Sequence, residues 1–131
     1  MAEKAREMSI SNLQRLYTVV MSLAIAESLR RLLSGYGDTG QPPDFASAVA
    51  VFSLLITAIP FYHGANRYLE ATYITGERKT KSQSLVFDFI ALFLEGLIFF
   101  MLAVVIKNTP VFYTTLAILF IFDSIWVSIT Y

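Results

Sequence analysis

Residues 84–106, SLVFDFIALFLEGLIFFMLAVVI, decide the fold. This is the longest apolar run in the 131-residue chain, and as one helix it is long enough to cross a hydrocarbon core. Two carboxylates interrupt it, Asp88 and Glu95. A charge at the bilayer centre costs about 2.5–3.5 kcal/mol even on a lenient insertion scale. Asp88, Leu92 and Glu95 follow i, i+4, i+7 spacing, so both carboxylates share one helical face. That face is expected to turn from lipid toward a partner group or a polar path.

C-terminal to this run, Lys107-Asn108-Thr109-Pro110 is a tight connection, with Thr109 suited to N-cap a helix and Pro110 to open it. A further span over 110–131 then folds back beside the first as an antiparallel hairpin. It carries Asp123. N-terminal to the run, Glu77-Arg78-Lys79-Thr80-Lys81 reads as a charged turn. A span over 45–63 precedes it, with Pro60 as an expected kink and helical residues continuing toward about residue 75. Ser34–Asp44 (SGYGDTGQPPD) is a loop by its Gly and Pro content.

The first span, 13–33, is the most ambiguous, because Glu27, Arg30 and Arg31 crowd its end; helical spacing pairs Glu27 with either arginine. Ala24-Ile25-Ala26 resembles a signal cleavage site. The helical pattern runs on through Leu29, Leu32 and Leu33, so the expectation is an uncleaved span extended into the cytoplasm by the polar residues 1–12.

The resulting expectation is all-α: a four-helix transmembrane bundle in a single integral membrane domain, residues 1–131. Basic residues set its orientation. With the N-terminus inside, Lys4, Arg6, Arg15, Arg67, Arg78, Lys79 and Lys81 are cytoplasmic, against Arg30, Arg31 and Lys107 outside. Both termini are thus expected in the cytoplasm, in the plasma membrane of a bacterium or archaeon. Tyr17, Tyr62, Tyr68, Trp126 and Tyr131 then fall at the inner interface as an aromatic belt.

Composition agrees and narrows the chemistry. At 56 % hydrophobic and 15 % charged residues, the chain is too apolar for an ordinary soluble domain. Its net charge of +0 does not point to nucleic acid. The absence of Cys removes disulfide, thiolate and iron–sulfur chemistry, and a single His argues against a zinc or bis-His haem site. No cofactor or metal is expected. An enzyme is not expected either, since there is no Gly-x-Ser-x-Gly elbow, no Gly-x-Gly-Asp aspartyl setting and no Gly-rich nucleotide loop.

What remains is the set of ionisable groups in the membrane. Asp88, Asp123, His63 and Arg67 are expected in the inner leaflet, with Glu95 near the midplane and Glu27 in the outer half. Ser53, Thr57, Pro60, Gly64 and Arg67 form a stripe on the second span, a polar seam that equally suits plain helix packing. The leading expectation is an oligomeric ion- or proton-conducting channel. Glu95 and Asp123 would form the ion pathway, His63, Arg67 and Asp88 would gate or brace its cytoplasmic mouth, and Glu27, Arg30 and Arg31 would form a structural ion pair. Its expected partners are membrane lipids and further copies of the chain. The alternative is a non-conducting anchor, assembly subunit or effector that binds a cytoplasmic protein through residues 67–81.

Overall fold

The computed structural model describes residues 1–76 and 85–130; the charged turn at 77–81, Ser84 and Tyr131 lie outside the described residues. These residues are all-helical, with no strand among them. Four long helices form the bundle: α1 (Ala2–Leu32), α3 (Phe45–Leu69), α4 (Leu85–Val104) and α5 (Thr109–Thr130). A single turn, α2 (Tyr36–Thr39), sits in the first loop, and α3 runs on into a π-helical turn, Glu70–Ile74. With that turn included, α3, α4 and α5 are each long and apolar enough to cross a membrane. The charged α1 is not one of the three.

On α1 the buried residues Ile10, Leu13, Tyr17, Met21, Ala24 and Ser28 recur every three or four positions, one stripe along nearly the whole helix. That stripe lies against α4 and α3, while α5 packs on the same two helices without touching α1. The α3–α4 pair is therefore the centre of the bundle. Gly96 brings α1 and α4 close: a Cβ there would come within 2.8 Å of Val20 Cγ1. The outermost helix, α5, buries only Phe112, Leu119, Trp126 and Thr130. Its remaining faces are mostly apolar and exposed, as suits a helix in contact with hydrocarbon.

The helix ends follow local chemistry. Asp44 caps α3, its Oδ2 accepting the Ser47 N–H at 2.9 Å, and that amide holds the carboxyl below its usual range. Gly40 ends α2 in the left-handed region (φ 69°). At the last connection the cap falls one residue earlier than Thr109: Asn108 Oδ1 accepts the Val111 N–H at 3.4 Å. Pro60 sits inside α3, which continues as helix through it. Ser53 and Thr57 bond back to the carbonyls of Val49 and Ser53, each at 2.8 Å, so their hydroxyls are satisfied within α3.

The π turn has a structural consequence. Tyr68 and Tyr73 would stand about 140° apart around an α-helix of 3.6 residues per turn. The widened turn, closed by Thr75 N–H donating to Glu70 C=O at 3.0 Å, carries Tyr73 round toward the side Tyr68 faces. Both rings then reach the same residue of α4.

Candidate functional site

That residue is Asp88. It lies in the first turn of α4, is completely buried, and receives three donors from two other helices. The Tyr68 hydroxyl donates to Oδ2 at 3.1 Å, the Tyr73 hydroxyl donates to the same oxygen, and the Trp126 indole N–H donates to Oδ1 at 3.2 Å. Its position at the helix N-terminus also favours a negative charge. The Arg6 guanidinium lies 5.4 Å from the Tyr73 ring centroid, over the outer side of this cluster.

Two turns along the same face of α4, Leu92 and Glu95 are buried as well. Glu95 stands about 15 Å from the start of α4 at 1.5 Å per residue, near the middle of a helix about 30 Å long. The Tyr17 hydroxyl of α1 donates to Glu95 Oε1. Tyr17 is itself positioned by Tyr62, whose ring lies parallel to it within 5° at a centroid separation of 6.0 Å. The Tyr62 hydroxyl is 2.7 Å from Thr18 Oγ1. Since Thr18 already donates to Gln14 C=O at 2.8 Å, Tyr62 is the donor of that pair.

The third carboxylate, Asp123, is half-buried on α5 and accepts no hydrogen bond among the described residues. Asp123 and Glu95 line one cavity of about 360 Å³ between α3, α4 and α5. Pro60, Phe61, Gly64, Ala65 and Tyr68 form its α3 wall, and Trp126 and Val127 its α5 wall. Tyr68 and Trp126 join this cavity to Asp88, because each lines the one and donates to the other. Two carboxylates thus share one cavity, and Tyr68 and Trp126 connect it to the third.

Among the described residues, no cation pairs with these carboxylates. Burial of Ala65, Tyr68, Leu69 and Thr72 sets the rotation of α3 and leaves His63 and Arg67 exposed. Among the described residues, no carboxylate lies within 4.0 Å of either. The ion pairs found are on α1, where Glu27 meets Arg30 at 2.8 Å and Arg31 at 2.6 Å.

The groups that sequence reasoning missed are the donors. Tyr17, Tyr68 and Trp126 were expected in an interfacial belt, and Tyr73 on a protruding helix. In the bundle these four supply every hydrogen bond made to Asp88 and Glu95 among the described residues. One signal was available: a buried Tyr or Trp needs a partner for its polar tip, and these fall at the carboxylates' own depths.

The chemistry of the two ends differs. Both oxygens of Asp88 are engaged by fixed donors, which makes it a brace joining α3, α4 and α5. Glu95 Oε2 and both oxygens of Asp123 have no hydrogen bond among the described residues, so the cavity offers acceptors and negative charge. No group of three metal-ligating side chains occurs among the described residues. Comparison with known proteins gives no match: no family model, curated protein or solved structure is similar to this chain.

Proposed function

We propose that α1 crosses with the three apolar helices in a small integral protein of a plasma membrane, with both termini cytoplasmic, that conducts protons or small cations. One observation carries the reading. Glu95 and Asp123 share a cavity at membrane depth, and no basic side chain among the described residues neutralises either. Glu95 points into its own bundle, so the pathway proposed runs through each subunit and not along an oligomer axis. Homo-oligomerisation remains part of the proposal for a physical reason. Pro60, Gly64 and Val127 are exposed on the cavity's rim, and a second copy would shield that opening from acyl chains. Asp88 braces the cytoplasmic end, and His63 and Arg67 stand at its mouth.

The test is flux in proteoliposomes. Glu95→Gln keeps a carbonyl to accept from Tyr17 but removes the charge, so flux should drop strongly while helical content and elution stay the same. Unchanged flux refutes the pathway. A second reading, a non-conducting anchor, assembly subunit or effector, is favoured by the donors fixed on both oxygens of Asp88. Such a brace suits rigid presentation of the exposed residues of 67–76, among them Arg67, Glu70 and Ile74, to a cytoplasmic protein. Electrically silent bilayers with verified incorporation would favour it.

A further inference from the structure

We propose that the cavity between α3, α4 and α5 binds an organic monocation, an amine or quaternary ammonium carrying small alkyl groups. The inference rests on the reading above that Glu95 and Asp123 receive a cation, and it names the class of cation.

Negative charge alone would not select that class; the aromatic wall does. The Tyr68 hydroxyl and the Trp126 N–H both point at Asp88, so what these residues give the cavity is ring surface. Their rings meet at 76° with centroids 5.1 Å apart, forming a fixed corner. Phe61 adds a third ring, itself held edge-to-face on Phe99 at 5.4 Å. A cation that meets the face of such a ring gains from its quadrupole, most of all with Trp and when desolvated. Its alkyl groups match the apolar remainder of the wall.

Competing ligands fit less well. An anion would meet two carboxylates and no free donor in the wall. A bare divalent ion of the calcium type needs about six to eight oxygen ligands, more than two carboxylates supply. The volume of about 360 Å³ lies at the small end of ligand pockets, which run from about 300 to 1,000 Å³, so the ligand is small.

The chain carries its own reporter, because Trp126 is its only tryptophan. The full chain in detergent is titrated with tetraethylammonium chloride, with potassium chloride at equal ionic strength as the control. We expect a saturable change in Trp126 emission with tetraethylammonium and none with potassium. Asp123→Asn, at a half-buried position that makes no hydrogen bond, should weaken binding at least about tenfold. Gly64→Leu should weaken it by obstructing the rim, where an added Cβ has open space and does not disturb the packing. No saturable change, an equal response to potassium, or full binding in both variants overturns the proposal. Glu95-dependent proton flux without tetraethylammonium binding sinks the ligand class and spares the pathway. Binding without flux does the reverse.

Discussion

Replacing Asp88 probes the whole arrangement, because three donors from two helices end on it. Asp88→Leu keeps the number of side-chain heavy atoms and the branch at Cγ and leaves two tyrosine hydroxyls and one indole N–H facing an apolar group. Side-chain hydrogen bonds between membrane helices have measured contributions of about 0.6 to 1.7 kcal/mol each. Three of them give about 2 to 5 kcal/mol, a large part of the stability of a domain held by about 5–15 kcal/mol. Asp88→Asn should cost far less. Its amide oxygen can keep the Trp126 N–H, and its NH₂ can donate to the two tyrosine oxygens, which accept as readily as they donate. The assay is equilibrium unfolding in mixed micelles, extended by a double-mutant cycle with Tyr73→Phe. That change should cost about 0.6 to 1.7 kcal/mol in the native background and almost nothing beside Asp88→Leu. Equal stability of Asp88→Leu and Asp88→Asn, or full additivity in the cycle, would refute the brace.

Two further predictions address the frame around the site. Gly96→Ala puts a methyl 2.8 Å from Val20 Cγ1 and 3.4 Å from Val20 Cβ, on a stiff β-branched side chain, so α1 and α4 must separate. A loss of about 1–3 kcal/mol is expected in thermal unfolding, largely restored by adding Val20→Ala. The Asp44 cap gives a pH dependence of known sign: the Ser47 amide lowers its carboxyl pKa on folding. The stabilisation is therefore complete above the ordinary carboxylate range and is lost as pH falls through the folded-state value. Asp44→Ala should lower the unfolding midpoint at neutral pH and make no difference in strong acid. An equal loss at both pH values would show that the cap does not act through its charge.

The helices themselves were legible because apolar length and turn chemistry are local. The run ending at Ile106, the Lys107–Pro110 connection and the loop before Asp44 mark three boundaries without tertiary information. The spacing of Asp88, Leu92 and Glu95 placed all three on one face, and all three are buried. Partnership was not legible. Opposite charge alone would pair Arg67 with Asp123, but pairing depends on helix rotation, which packing at Ala65, Tyr68 and Leu69 decides. The π turn was equally hidden, because Glu70–Ile74 carries no sequence mark of an extra residue per turn. Without it Tyr73 would be read as facing away from Tyr68, and the doubly bonded Oδ2 of Asp88 could not be anticipated.

The contrast among the carboxylates is what separates scaffold from function. A carboxyl group in hydrocarbon must find a cation or several neutral donors, or else hold a proton and stay neutral. Asp88 has found donors on both oxygens and is completely buried, away from any open space. Among the described residues, Glu95 has found one and Asp123 none, although both lie at the same cavity. A fold selected only for stability has cheap alternatives at those two positions, such as Gln, Asn or an apolar side chain, none of which leaves a charge unmatched. The donors were within reach: the Tyr68 and Trp126 rings line the cavity beside Glu95 and Asp123, yet their polar tips turn to Asp88. The bundle thus spends its fixed donors on one carboxylate and leaves the other two facing open space. Among the described residues, two carboxyl groups beside aromatic surface keep acceptors open, which is the feature the proposed uptake of a proton or cation requires.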